Sequence, residues 1–232
     1  MRVYTPFATA EDRNALSTLA DEGTPPAAYQ AALEALGISL ADTLLAQFSA
    51  DLPDRLCIVV TVEDADSLGA GIVSRLEERG VGDRIRLVCF WNDRIELEGM
   101  SLAPILKEYR EPCRVDDAAV VIVKSIVSSA CVVRTNLANL LAKATPRRIF
   151  VVAPVMFRGA DEALRHDFDS AISNRFEYIT LAIDDEKRDD KWIVPGVGGD
   201  IYTRLGYGGA ANKNRHVPAL VKRRRQHAVL AA

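Results

Sequence analysis

Cysteine and histidine are both scarce in this chain: 232 residues contain four cysteines and three histidines. The cysteines, at 57, 89, 113 and 131, form no CxxC pair. Cys57 and Cys89 lie inside apolar, strand-like runs where a reduced, buried thiol is expected. His166, His216 and His227 stand alone, with no second ligand at i, i+4 spacing. Neither a disulfide framework nor a Cys- or His-based metal site is therefore expected. No apolar run approaches the ~20 residues that span a bilayer. The stretch Met1 to Asp12 lacks the basic-then-apolar layout of a secretion signal. Gly-x-Ser-x-Gly, HExxH, Walker and Gly-x-Gly-x-x-Gly patterns are missing as well. A large excess of either charge is also lacking, and a net charge of −3 argues against general nucleic-acid binding. These absences point to a cytoplasmic protein without membrane or nucleic-acid partners.

What remains is the composition of an ordinary globular chain, 49% apolar and 26% charged, long enough for a full hydrophobic core. The first fifty residues read as helical. Thr9 with Asp12 three positions on suits a capped start, and Thr24-Pro25 suits a second. Gly37 is expected to stop that helix and Ser39 to begin a third. Residues 1–52 thus form an N-terminal helical cap or dimerisation element, and residues 53–232 the core. Within the core, apolar runs at Leu56–Val62, Arg84–Phe90, Ala118–Val123, Arg148–Ala153 and Tyr178–Ile183 read as strands. Amphipathic stretches at Ser67–Arg79, Val132–Ala144 and Asp161–Ser173 read as helices. Such alternation implies an α/β fold, a doubly wound, mostly parallel sheet buried on both faces. Ligands of such sheets bind beyond the carboxyl ends of the strands. The run Lys222-Arg223-Arg224-Arg225 reads as cations complementing the end of a C-terminal helix and solvent.

The most informative segment is Trp192-Ile193-Val194-Pro195-Gly196-Val197-Gly198-Gly199-Asp200-Ile201-Tyr202-Thr203-Arg204-Leu205-Gly206-Tyr207-Gly208. Its glycines permit positive φ and close approach of backbone to a ligand. Such a loop presents amide and carbonyl groups, which suit the edge of a planar base. It follows a strand that ends in Asp184-Asp185. An apolar strand earlier in the chain leads into Val123-Lys124-Ser125-Ile126-Val127-Ser128-Ser129-Ala130-Cys131, a hydroxyl-rich loop that opens a helix and suits an anion.

In order of motifs the chain resembles the uracil phosphoribosyltransferases, of the type I phosphoribosyltransferase family. The resemblance spans roughly residues 56–210 and is specific in the C-terminal loop. It implies a phosphoribosyl group transferred from phosphoribosyl pyrophosphate to a pyrimidine-like base. The base would be held by backbone groups of Ile193 and Gly198 in the loop that contains Gly196, with Asp200 supporting base or ribose. Arg94 would contact the diphosphate. Lys124, Ser125, Ser128, Ser129 and Ala130 would line the phosphoribosyl site. A homodimer is implied as well. The departures are specific. Gly199 looks inserted, and Thr203 stands where the family has an acid. Lys124-Ser125 replace two ribose-binding acids. Glu63, Asp64 and Asp66 occupy the place of an Arg-Ala-Gly turn. Asp66-Ser67 caps the following helix, or Asp64 and Asp66 hold a Mg2+ ion that carries the diphosphate. The alternative to an enzyme is a catalytically degenerate nucleotide-binding or regulatory module. The two differ in whether an acid from another loop (Asp64, Asp66, Asp116 or Asp117) reaches the ribose position.

Overall fold

The structure is a computed structural model that describes all residues except 94, 98, 99, 129, 130, 143, 189–191, 231 and 232. The chain begins with β1 (Arg2–Tyr4), α1 (Ala10–Ala20), α2 (Pro26–Phe48), β2 (Arg55–Thr61) and the single turn α3 (Val62–Asp64). A π-helical turn, Ala65–Gly69, then runs into α4 (Ala70–Glu78). Next come β3 (Ile85–Asn92), the small hairpin β4 (Ile95–Leu97) and β5 (Met100–Leu102), β6 (Ile105–Arg110), β7 (Ala118–Val123) and β8 (Ile126–Val127). After α5 (Cys131–Leu141) follow β9 (Arg148–Phe157), α6 (Ala160–His166), α7 (Ser170–Ser173) and β10 (Phe176–Asp184). The chain closes with the hairpin β11 (Glu186–Arg188) and β12 (Trp192–Val194), then α8 (Ile201–Arg204), α9 (Ala210–Arg215) and α10 (Ala219–Leu230).

The main sheet has the order β1-β10-β9-β7-β2-β3-β6, with β8 also paired to β9. Strands β10, β9, β7, β2 and β3 are parallel, and β1 and β6 close the two edges antiparallel. The five runs read as strands are these five parallel strands. From β2 the chain crosses to β3 on one side and later returns to β7 on the other. The strand order therefore reverses between β2 and β7, where the carboxyl ends diverge and leave a crevice. Alternate side chains of β2 feed two cores. Leu56, Ile58 and Val60 pack with α1, α2 and α4 through Leu16, Leu33, Leu36 and Ile72. Cys57 and Val59 pack on the other face with Leu137, Leu140 and Leu164 of α5 and α6. Burial on both faces explains why these strands are continuously apolar.

Helix α1 starts as expected. Thr9 and Asp12 form a reciprocal capping box, and Asp12 also accepts from Ser39 Oγ at 2.9 Å, tying α1 to α2. The expected break at Gly37 does not occur, and α2 runs unbroken for 23 residues. At Gly37 an added Cβ would stand 2.3 Å from the Leu68 carbonyl oxygen, and at Gly71 one would stand 2.2 Å from that of Glu34. The two backbones cross where no side chain fits, and this packing outweighs the low helix propensity of glycine. By length and composition α2 is apolar enough to cross a membrane, with a mean hydropathy of 1.3. Here Tyr29, Leu33, Leu36, Leu40 and Leu44 of α2 are buried in the core. The stretch expected as one helix over 161–173 is two, because Asp169 caps α7 by accepting from Ile172 N. The basic run lies within α10 and docks on the β3–β6 edge. Arg224 donates two hydrogen bonds to the Glu111 carboxylate at 2.7 and 2.8 Å, Arg223 reaches Glu77, and Arg225 covers the Tyr109 ring.

Candidate functional site

The crevice between β2 and β7 is built from the residues that end those strands. Thr61 closes β2, and the turn that follows brings Glu63 and Asp64 back toward the sheet. Lys124 directly follows β7. Its Nζ donates to Asp64 Oδ2 at 2.6 Å, to Glu63 Oε1 at 3.0 Å and to Thr61 Oγ1 at 3.3 Å. Thr61 Oγ1 donates to the same Asp64 oxygen, and the Ser125 amide donates to Asp64 Oδ1. Asp64 is fully buried, Glu63 4% exposed and Lys124 8%. A pair this dry holds only when its charges are mutually compensated. Burial alone would push the Lys124 ammonium down, but Asp64 and Glu63 hold it above the ordinary lysine range. Burial alone would push Glu63 up, but Lys124 and Lys213 hold it below the usual glutamate range. Three buried oxygens of these two loops, Glu63 Oε2, Ser67 Oγ and Ser125 Oγ, have no hydrogen-bond partner among the described residues.

The second cation comes from far along the chain. Lys213 of α9 is 1% exposed, donates to the Asn92 carbonyl at the end of β3 at 2.6 Å, and sits 4.5 Å from the centre of the Tyr202 ring. Nothing in the polar stretch Ala-Ala-Asn-Lys-Asn-Arg marks this lysine as buried; only the tertiary fold does. Asp66 is occupied differently. It accepts from the amides of Ala219 and Leu220, capping α10, and lies 3.0 Å from His216 Nε2. Asp66 therefore caps a helix, but one some 150 residues away and not the one that follows it.

The glycine-rich loop lies at the carboxyl end of β10. Asp184, fully buried, accepts two bonds from the Arg2 guanidinium at 2.8 and 2.7 Å and one from the Gly196 amide at 2.8 Å. Arg2 also donates to the Gly196 carbonyl at 2.6 Å. Both backbone groups of Gly196 are thus held by the scaffold. Gly198, at φ +76°, donates its amide to the Pro195 carbonyl, and a Cβ there would stand 2.1 Å from the Leu19 carbonyl oxygen. Buried Tyr29 donates its hydroxyl to the Val197 carbonyl at 2.7 Å. Arg204 donates to the Glu22 and Asp21 carbonyls at 2.6 and 2.5 Å and caps the end of α1. The loop so fixed borders a cleft of about 310 Å³ lined by Trp192, Ile193, Pro195, Gly198, Gly199 and Asp200. Arg188 and Glu22 pair across its rim at 3.3 Å.

The residues singled out in the sequence fall into three groups. Ile193, Gly198 and Asp200 line the loop cleft, with Asp200 also capping α8 through Thr203. Gly196 anchors the loop from outside the cleft. Lys124 and Ser125 stand in the crevice with Asp64, and half-buried Ser128 follows β8. Arg94, Ser129 and Ala130 lie outside the described residues. A magnesium ion on Asp64 and Asp66 does not fit the arrangement, because an ammonium, a hydroxyl and an amide take the oxygens of one and a helix end and an imidazole those of the other. Among the described residues no group of three His, Cys, Asp or Glu side chains is disposed to hold a metal. Asp116 and Asp117 precede β7 and so lie at the opposite edge of the sheet, where Asp116 accepts from the Thr145 amide. Of the four acids that could serve a ribose, Asp64 alone stands in the crevice, and it is already paired. Sequence reasoning missed Arg2, Tyr29 and Lys213, none of which belongs to a motif.

No protein-family model and no curated protein matches the chain in sequence. In fold it is similar to the AQ2163 protein from Aquifex aeolicus, at a TM-score of 0.68 and 16% identity over 88% of this chain and 97% of that one. Weaker likenesses include two transferases. The hypoxanthine-guanine phosphoribosyl transferase of L. donovani has a TM-score of 0.44 and 18% identity over 66% of this chain and 79% of that one. The hypoxanthine phosphoribosyltransferase from Trypanosoma cruzi, in complex with the product IMP, has a TM-score of 0.44 and 17% identity over 69% and 84%.

Proposed function

We propose that this protein is a phosphoribosyltransferase-like binding module that takes a pyrimidine-type base or nucleotide in the 192–200 loop cleft and does not turn it over in the closed state. The observation that carries this reading is Lys124. It fills the crevice at the topological switch point with a buried ion pair to Glu63 and Asp64, where a ribose would need free acceptors. The loop cleft, by contrast, is open and framed by backbone. Trp192 gives it an aromatic wall for a planar ring.

The transferase itself is the second reading, favoured by the retained base loop. In it the base nitrogen forms a bond to the anomeric carbon as the bond to diphosphate breaks, and loop amides and cations stabilise the charge that develops. That requires Lys124 to release both acids. Either reading carries with it a cytoplasmic homodimer, which sedimentation of the purified protein checks.

Calorimetry separates the readings. UMP and phosphoribosyl pyrophosphate are titrated, with and without magnesium, into wild type and Trp192→Ala. UMP binding that weakens about tenfold in the variant, with no heat from phosphoribosyl pyrophosphate, is the expected result. Magnesium-dependent binding of phosphoribosyl pyrophosphate would establish the transferase reading instead. Silence from UMP would overturn both assignments of the loop cleft.

A further inference from the structure

The segment Asp200–His216 has an unusual make-up for a piece of chain that covers a sheet's carboxyl edge. Of its seventeen residues only Leu205 and Lys213 are buried. Ile201, Leu205 and Tyr207 pack against the main core, and the remainder is held by polar bonds. Lys213 donates to the Asn92 carbonyl, Trp91 Nε1 to the His216 carbonyl at 2.8 Å, Lys107 to the Asn214 carbonyl at 2.7 Å, and Gln30 to the Leu205 carbonyl at 3.2 Å. Gly198 and Gly199 before α8, and Gly206, Gly208 and Gly209 between α8 and α9, all have positive φ. Little apolar burial, many replaceable hydrogen bonds and glycine joints are the marks of a unit that opens at low free energy. Lys213 lies near Glu63, whose Oε2 is buried and without a hydrogen-bond partner among the described residues.

We propose that residues 200–216 are an autoinhibitory plug, which seats Lys213 in the crevice at the carboxyl ends of β2, β3 and β7 and swings out as a unit to admit a ligand. This rests on the transferase reading, in which the switch-point crevice takes a ligand. Glu63, Asp64, Lys124 and Lys213 sum to zero charge in the closed form, and departure of Lys213 leaves one net negative charge and a bare Asn92 carbonyl. The incoming ligand must therefore offer hydrogen-bond donors, as the hydroxyls of a sugar do, in place of a free anion. Burial holds the Lys213 ammonium below the ordinary lysine range and Lys124 adds to this, while Glu63 opposes it.

The test needs no ligand. Ser125, fully buried in the crevice, is changed to cysteine, and its alkylation by N-ethylmaleimide is followed by peptide mass spectrometry. Lys213→Met and Tyr202→Leu are introduced separately into that background. Buried Cys57, Cys89 and Cys131 report global unfolding in the same sample. The expected result is an alkylation rate at position 125 at least tenfold higher in Lys213→Met, and raised in Tyr202→Leu, with the three native thiols unchanged. Equal rates at 125 in all backgrounds would overturn the plug. Position 125 and the native thiols accelerating together in both variants would also overturn it, since the segment would then be part of the core. Calorimetric binding of UMP to the loop cleft is a separate readout, so failure of the plug and failure of the proposed function are distinguishable.

Discussion

The carboxyl edge of the sheet holds two sites made of the same parts and put to opposite ends. In each, a fully buried aspartate is neutralised by a basic residue distant in sequence, Asp184 by Arg2 and Asp64 by Lys124. At Asp184 the pair lies under the backbone. It grips the amide and carbonyl of Gly196, and the loop above it borders an open cleft. At Asp64 the pair lies in the crevice itself, with Lys213 added from the C-terminal segment. The same ion pair is scaffold in one place and occupant in the other. What separates them is which side of the backbone the charge occupies, and residue type alone does not reveal that.

The comparison breaks most sharply at Lys124. Lys124→Met leaves two buried carboxylates without their cation, and a loss of about 3–5 kcal/mol is expected in urea unfolding. Lys124→Asp, which would restore the acid of the resembled family, puts three carboxylates together and is expected to abolish folding. A stable Lys124→Asp protein that binds phosphoribosyl pyrophosphate would mean that the crevice is a working site in disguise. Arg2→Ala should cost about 3 kcal/mol for the same physical reason. It should also abolish UMP binding, because the loop loses its grip at Gly196, and retention of full affinity would show that the loop holds itself. Gly198→Ala is expected to cost ~1–3 kcal/mol, through positive φ and the clash with the Leu19 carbonyl oxygen. Its effect should appear in thermal melting before it appears in ligand affinity. The smallest effect concerns neither site. A hydrogen bond from Cys57, with the Arg55 and Arg86 guanidiniums nearby, brings the half-buried Cys113 thiol down to about 7, while that bond and burial push Cys57 up. Alkylation of Cys113 should therefore rise through pH ~7 and level off above it, with Cys57 unreactive throughout, and a midpoint above pH 8 would refute the assignment.

The parallel strands were legible because a short, continuously apolar run between amphipathic segments fits little besides a strand buried on both faces. So was the capping box at Thr9, since both of its bonds are local. What stayed hidden was set by distance. Gly37 reads as a stop only if the helix is judged alone, and the Leu68 carbonyl that requires a glycine there is thirty-one positions away. The edge strand β1 is three residues long and gains its meaning from β10. At the candidate sites the loop was readable from its glycines, yet those glycines serve different masters. Gly196 answers to Asp184, Gly198 to α1 and Gly199 to an open side of the loop. The acids of the first loop read as a helix cap or as metal ligands because the lysine opposite them was separated by sixty positions, and periodicity carries no information about such a pairing.

The crossing of α2 over the π-helical turn has a mechanical consequence. At Gly37 and Gly71 backbone meets backbone, so there is no side chain between the helices to yield. The turn in question holds Asp66 and Ser67 and continues directly from Asp64. Side chains elsewhere can change rotamer and absorb a displacement, but this contact has no such compliance. It is a fulcrum. The solvent face of α2 is thereby joined, backbone to backbone, to the turn that walls the crevice and, through Asp66, to the start of α10.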